Sequence, residues 1–426
     1  MKLCFPQYFK SKSRFLSYAV VRTALVNAGH EVVHDMDGVD AVLFSMCDVM
    51  EYRDLMKMRK RAEGKFLIVG GAYAYNFWSA ILYCDAVWVG EVYDMADCKT
   101  LDEILDSPHC YTGGDVLPVA SQRIDWAAVP LAQIDNRRCY YWGGTGCKNH
   151  CHFCFTSWTH KHQVNDHARI QKAMRMAKQK KLHIMVSSNE YENDPGASTF
   201  DMMLKDYIKV PVKGGKVVRC GIEFPTDETR KKMGKPLTIN DISKALQKAA
   251  HEKVSLRFFH ITGYNDLSEW DDYINQLCYI LDRINYTSMF QLGFNNLDYQ
   301  NYVPLYKERW QIDPDKYSTA DMIRGWRNRL RNCTPHVFCI SSSSFQHACC
   351  RMGIMLSTNK DQVDFWTSMI VNPNKKLTVS SAYKALFDSK VFETPPLLLI
   401  PSTGEIRIHE PWRGDYGENR QTENRD

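Results

Sequence analysis

The chain has 426 residues, 44% of them apolar and 24% charged, which is ordinary for a folded globular protein and excludes disorder as its default state. Its net charge of +5 is too mild to mark a nucleic-acid binder, though it leaves polyanionic substrates open. No apolar run reaches the ~18 residues of a membrane span and the first residues lack the layout of a signal peptide, so a cytoplasmic protein is expected.

The first 118 residues read as alternating strands and helices, the pattern of a parallel sheet covered on both faces. "KLCF" is a candidate first strand. "SYAVVRTALVNAGHEVV" is a helix with Val20, Val21, Ala24, Leu25 and Ala28 on one stripe, stopped at Gly29. "DAVLFSMC", "KFLIVGG" and "CDAVWVGE" are apolar runs of buried-strand type, and the charged helical pattern "EYRDLMKMRKRAEG" separates the first two. A small doubly wound domain follows, with its ligand face at the carboxyl ends of the strands. Residues 119–138, which follow Pro118 directly and contain Pro130, lack periodicity and read as a linker.

From residue 139 to 345 the αβ rhythm resumes. "ARIQKAMRMAKQKK" is helical, "LHIMVSSNE" and "KVVRCGIEF" are strands, and "LTINDISKALQKAAHEK" is a helix capped by Thr238 with Ile242, Ala245, Leu246 and Ala249 facing inward. The strand "VSLRFFHITGYN", the helix "SEWDDYINQLCYILDRIN", the strand "SMFQLGF" and the basic helix "ADMIRGWRNRLRNC" extend the pattern. This is a parallel barrel or part of one, whose catalytic groups cluster at the carboxyl ends of strands. Residues 346–426 form a mixed extension ending in a flexible tail. The α/β class is therefore expected throughout.

Fifteen cysteines, odd in number and scattered, do not make a disulfide framework, so metal or cluster binding is the better use of some of them. Ahead of the barrel, "GGTGCKNHCHFCFTSW" sets Cys147, Cys151 and Cys154 on a glycine-rich loop. Structural zinc wants a fourth ligand, and His150, His152, His160 or His162 offer one, although the second Cys-x2-Cys pair of a zinc ribbon is absent. A cubane iron-sulfur cluster uses three thiolates on three irons and leaves the fourth iron open. Tyr140, Tyr141, Trp142 and Trp158 surround the loop, as a shield for a cluster or a platform for a base.

With Gly146 before the first cysteine, Phe153 before the third and an αβ barrel following, this loop resembles the signature of the radical S-adenosylmethionine (SAM) superfamily. The resemblance implies a partial (β/α)6 TIM-like barrel and a 4Fe-4S cluster held by Cys147, Cys151 and Cys154, whose open iron is chelated by SAM. It also implies reductive cleavage of SAM to a 5′-deoxyadenosyl radical and an electron donor such as flavodoxin or ferredoxin. Ser188, Asn189 and Glu190 in "VSSNE" stand where the family has the Gly-Gly-Glu segment that holds the methionine amino group, and depart from it. For Glu190 the alternative is a solvated carboxylate at a strand end. "GIEFPTDETRKKMGKP", with Glu223 ending a strand, resembles the matching stretch of cobalamin-domain radical enzymes, and "FFHITGYND" resembles the strand that packs against adenine through Ile261 to Gly263. Glu223 lies among apolar residues, where a charge is normally paired or used; a salt bridge to Arg219 or Lys235 is its structural alternative.

"FSMCDV", "IVGGAYA" and "DAVWVGEVYD" resemble the Rossmann-like cobalamin-binding domain that precedes many such barrels. On that resemblance Ser45, Gly70 and Gly71 leave room for the nucleotide tail of the corrin, and Gly90 with Glu91 closes the last strand. The Asp-x-His-x-x-Gly loop that would give cobalt a histidine should fall near "KSKSRFLS", which has none. Cobalamin then binds with its lower position open, or the domain binds nothing. Methylthiotransferases place a cysteine-bearing domain before the same barrel, but position 71 is glycine, and core packing accounts for Cys4, Cys47 and Cys84. Cys333, Cys339, Cys349 and Cys350 are read as buried thiols in preference to a second cluster, and Arg324, Arg327, Arg329 and Arg331 as a solvated helix face. The reaction expected is methyl transfer to an unactivated carbon. Rearrangement, cyclisation or methylthiolation is expected without cobalamin, and a zinc-stabilised nucleic-acid-binding module is the non-enzyme alternative. The substrate, whether small molecule, nucleotide, peptide or tRNA, is left open.

Overall fold

The computed structural model describes residues 1–6, 12–126, 132–133, 138–187, 199–341, 344–371 and 378–409. Its first unit contains β1 (Lys2–Cys4), α1 (Lys12–Asn27), β2 (Glu31–Val33), β3 (Ala41–Ser45), α2 (Tyr52–Arg61), β4 (Leu67–Gly70), α3 (Phe77–Ala80), β5 (Ala86–Trp88), α4 (Tyr93–Asp97), α5 (Leu101–Leu105) and β6 (Cys110–Tyr111). The sheet order is β2-β1-β3-β4-β5-β6, parallel except at the edge, where β6 runs antiparallel to β5. Side chains alternate between two cores as the period of a strand dictates. Leu3, Leu43, Ile68 and Trp88 pack with Val20, Ala24 and Leu25 of α1, while Cys4, Val42, Val69 and Val87 face the rest of the molecule. The sequence order of strands reverses between β1 and β3, which opens a crevice at their carboxyl ends.

The barrel region contains β7 (Ala132–Gln133), β8 (Arg138–Trp142), β9 (Gly144–Thr145), α6 (Thr156–Thr159), β10 (Gln163–Val164), α7 (His167–Gln179), β11 (His183–Ser187), β12 (Thr199–Asp201), α8 (Leu204–Lys209), β13 (Val217–Glu223), α9 (Asp227–Lys232), α10 (Ile239–Glu252), β14 (Ser255–Thr262), α11 (Leu267–Leu281), β15 (Phe290–Asn296), α12 (Ala320–Cys333) and β16 (Val337–Ser341). Strands β12 to β16 make a parallel five-stranded sheet in chain order; β8 pairs in parallel with β11 in a second sheet edged by antiparallel β7. Among the described residues the barrel strands thus fall into two sheets. The stripe of α10 buries Ile242, Ala245, Leu246 and Ala249 against Val218, Cys220, Leu256 and Phe258, and a capping box between Thr238 and Asp241 starts that helix. The alternate residues of β13 and β14, Arg219, Glu223, Phe259 and Ile261 among them, are partly exposed on the opposite, inner face.

After the barrel come α13 (Phe345–Leu356), α14 (Lys360–Val371), α15 (Val379–Asp388) and the hairpin of β17 (Leu397–Ile400) and β18 (Glu405–Ile408). Cys349, Met352 and Trp366 of these helices, Val42 and Tyr75 of the first unit, and Phe224, Met233 and Leu297 beyond barrel strands belong to one continuous core. The tail expected at the end of the chain lies outside the described residues. No described helix is long and apolar enough to cross a membrane.

Candidate functional site

The hairpin of β9 and β10 closes the base of the thiol loop. Gly146 makes its turn at a φ of +65°, and a Cβ there would stand 2.5 Å from the carbonyl oxygens of His160 and Lys161, so only glycine fits. The loop is held by backbone bonds to segments beyond the strands: His152 N donates to Met233 O, just after α9, at 3.0 Å, and Leu305 N, beyond β15, donates to His152 O at 3.0 Å. Gly234, at a φ of +73°, lets the chain pass 2.8 Å from His150 O. Around the sulfurs, Asn149 directs its backbone N and its Nδ2 at Cys147 Sγ, at 3.4 and 3.5 Å. The Trp158 indole donates to Cys151 O at 2.9 Å, and Phe153 packs edge-on against Phe224. Such amide-to-sulfur bonds and an apolar cover are what tune a thiolate-bound centre.

Burial pushes the Cys151 thiol up to about 11, against the pull of the Lys235 ammonium, with Cys154, Glu223 and Cys147 adding to the rise. The three thiols therefore share one electrostatic neighbourhood. Among the described residues no three His, Cys, Asp or Glu side chains converge as ligands of a single ion; a cubane sets each thiolate on its own iron and does not ask for that convergence.

Glu223 and Lys235 form a buried ion pair at 3.0 Å, with side chains 12% and 7% exposed. Burial alone would lower Lys235, but Glu223 and Cys151 outweigh it and hold the ammonium above its ordinary value. Three features build the pair. Glu223 adopts a φ of +69° at a bulge in β13, a conformation worth about 1 kcal/mol or more of strain in a residue with a Cβ. Arg230, fully buried, donates to Phe224 O at 2.6 Å and Leu237 O at 2.9 Å and so fixes the segments carrying both partners. Gly221 lies beneath them, where a Cβ would fall 1.8 Å from the carboxylate and 2.3 Å from the ammonium. Arg219, the other partner anticipated for Glu223, pairs with Asp201.

The crevice of the first unit is a cavity of about 650 Å³, and Phe5, Ser45, Gly70, Gly71, Gly90 and Glu91 all line it. The five residues that sequence grouped, Ser45, Gly70, Gly71, Gly90 and Glu91, thus line one space, but the room expected beside Gly71 is corrected. A Cβ on Gly71 would meet Met46 O at 2.6 Å, and one on Gly90 would meet Ser121 O at 2.2 Å, both at φ near +100°. They are glycine because the chain packs on itself there; at Gly70 the nearest atom is 3.8 Å away. Cys47 also lines the cavity, so core packing does not account for it, whereas Cys4 is fully buried in the sheet. Thr156 and His160 of the thiol loop complete the wall, because Tyr75 OH and Gln122 Nε2 both donate to Thr159 O, at 3.0 and 3.1 Å. His160 belongs to the cavity, and the His150 ring lies tilted against Trp158, centroids 5.3 Å apart.

Of the remaining residues, Ile261 is on the inner face of β14, and the space beside Gly263 is filled by the Tyr317 ring, 2.6 Å from where a Cβ would stand. Ser188, Asn189 and Glu190 lie outside the described residues. Cys349 and Cys350 are buried in α13, and Cys333 and Cys339 pack against the barrel core. Asn149, Arg230 and Tyr75 carry no signal that sequence reading used.

A doubly wound unit stands ahead of a parallel α/β sheet with a three-thiol loop between them, and solved structures share this arrangement of fold. Two solved structures of a radical SAM methyltransferase, TsrM, from Kitasatospora setae are similar to this chain. The one with cobalamin and a [4Fe-4S] cluster bound shares 12% identity at a TM-score of 0.55, over 91% of this chain and 98% of that one. The other, with a tryptophan substrate and a SAM analogue bound, shares 12% identity at a TM-score of 0.52, over 72% and 76%. At this identity the likeness is one of fold. No protein-family model and no curated protein sequence matches the chain.

Proposed function

We propose that this chain is a radical SAM enzyme in which Cys147, Cys151 and Cys154 hold a 4Fe-4S cluster, and that the cavity between Ser45 and Glu91 holds cobalamin for methyl transfer to an unactivated carbon. The observation that carries the reading is the seating of three thiols on a loop that packs Phe153 on Phe224 just past the end of a strand and forms part of the wall of the cavity. The chemistry these groups supply when bound is reductive cleavage of SAM to a 5′-deoxyadenosyl radical and delivery of a methyl group. The TsrM structure with both groups bound, matched over 91% of this chain, supports the reading. Asn149 stabilises the Cys147 thiolate by donating to its sulfur. Lys235 offsets part of the negative charge gathered by the thiolates, and Glu223 holds Lys235 in place. Phe153, Phe224 and Trp158 keep water from the loop. Ser45, Gly70 and Glu91 face the corrinoid, with Ile261 on the inner barrel wall for SAM.

Anaerobically reconstituted protein is expected to be brown and to carry about four irons with matching sulfide, and Cys151→Ala to lose the cluster and all 5′-deoxyadenosine formation. A colourless protein holding one zinc, or a Cys151→Ala variant that cleaves SAM at the parent rate, would sink the reading.

A further inference from the structure

His160 is held in a single tautomer. Thr159 Oγ1 stands 2.8 Å from Phe155 O and 2.8 Å from His160 Nδ1. Two oxygens that close need a hydrogen between them, and the carbonyl has none, so the hydroxyl hydrogen points at Phe155. Thr159 then accepts from His160, the ring hydrogen is on Nδ1, and Nε2 keeps a bare lone pair. The ring leans on Tyr75, centroids 5.5 Å apart, and forms part of the cavity wall. Burial lowers its pKa to about 4, so the lone pair persists at neutral pH.

Glu91 faces the same cavity. Its backbone N donates to Ser121 O at 2.9 Å and its carbonyl accepts from the Trp88 indole at 2.8 Å, which fixes the residue. Its carboxyl has no hydrogen-bond or ion-pair partner among the described residues, and burial raises its pKa to about 8. Much of the remaining wall is apolar, with Phe5, Val20, Leu43, Ile68 and Met95, and the hydroxyls of Ser45 and Thr156 are set among them. Both groups are half-buried while the cavity is open; covering them without a partner would cost free energy, so an occupant that binds well brings an N–H group to Nε2 and no negative charge. A carboxylate would set its lone pairs against Nε2 and would bring its charge into a cavity where burial already keeps Glu91 neutral at pH 7.

We propose that His160 and Glu91 form a rim that reads the neutral primary carboxamides on the edge of a corrinoid and rejects carboxylates in their place. The proposal rests on the reading of the cavity as a cobalamin site. It assigns His160 the role of a hydrogen-bond acceptor, not of a ligand to cobalt.

The test compares full-length protein titrated with cyanocobalamin and with cyanocobalamin in which one peripheral carboxamide has been hydrolysed to a carboxylate, each regioisomer separately. Bound corrinoid is read by absorbance after gel filtration. At least one acid isomer is expected to bind about tenfold more weakly than the amide, the size of a lost buried hydrogen bond. His160→Phe should weaken cyanocobalamin binding about five- to tenfold, His160→Gln, which keeps an acceptor, should restore most of it, and raising the pH through about 8, which ionises Glu91, should widen the gap between amide and acid in the parent but not in Glu91→Gln. Equal binding of every acid isomer would overturn the rim without touching the cobalamin reading, and so would parent-like affinity of His160→Phe. Nitrogen hyperfine structure on bound cobalt(II) that vanishes in His160→Phe would place the ring on cobalt and overturn it too. Failure to retain any of these corrinoids would end the cobalamin reading and the rim together.

Discussion

Glu223 concentrates two costs in one residue, a left-handed backbone and a charge that is almost fully buried, and the Lys235 ammonium offsets the second. Cutting such a pair from one side strands the other charge, a loss of about 3–5 kcal/mol, so Glu223→Gln is expected to lower the melting temperature substantially. Gly221→Ala should do nearly the same without removing a charge, because its methyl would occupy the position of the carboxylate. The double variant should cost little more than either single one, since both act on one contact. The second readout is SAM affinity of the cluster-loaded Glu223→Gln protein. Weakening beyond what the folded fraction explains would show that the pair also serves the cofactor, and unchanged affinity would confine it to structure. A simple sum of the two destabilisations would refute the shared contact. Sequence reading named both Glu223 and Lys235, yet it had no means to see the positive φ or the glycine floor, which arise only when β13 bulges against the thiol loop.

At the scale of elements, what sequence disclosed follows the strength of the periodic signal. α10 announced itself through an inward stripe and a cap, and β3, β4 and β5 through unbroken apolar runs, because both faces of their sheet are covered. β6 has two residues and β12 has three, too few for any period to register. α13 buries Phe345, Cys349, Met352, Ile354 and Leu356 around its whole circumference, which erases amphipathic contrast. The glycine pair at the end of β4 was singled out for a reason mistaken at Gly71, and that error yields a sharp test. Gly70→Ala has ordinary contacts at 3.8 Å and should leave the melting temperature of the ligand-free protein within about 1 kcal/mol of the parent. Gly71→Ala meets Met46 O at 2.6 Å from a φ of +97° and should cost about 2 kcal/mol or more. Equal melting temperatures for the two variants would show that β3 yields there and that self-packing does not select the glycine.

Across the whole molecule, Arg351 of α13 ties the three parts together. Its guanidinium donates to Asp298 beyond β15 at 2.9 Å, to Asp48 beyond β3 at 3.2 Å, and to the Tyr73 hydroxyl at 2.7 Å. Burial alone would lower its pKa, but Asp298, Tyr73 and Asp48 more than offset this and hold the charge firmly in place. Tyr73 in turn stacks on Phe155 of the thiol loop, nearly coplanar at 6.5 Å, so the same contact steadies the seat of the three cysteines. The partners contribute unequally: the Asp48 side chain is 44% exposed and screened by water, whereas Asp298 is 18% exposed and would be stranded by loss of the cation. Arg351→Met, which keeps the apolar stem, is therefore expected to cost about 3 kcal/mol, the low end for a half-shielded pair. Because the first unit, the barrel end and α13 share one core, unfolding should remain a single transition shifted to lower temperature. Adding Asp298→Asn removes the stranded charge and should recover part of the loss, while adding Asp48→Asn should recover almost none. Differential scanning calorimetry of the four proteins measures this. Equal recovery by the two asparagines would show that Arg351 acts through its summed charge and not through the buried Asp298 contact, and a parent-like Arg351→Met would show that the shared apolar core alone joins the parts.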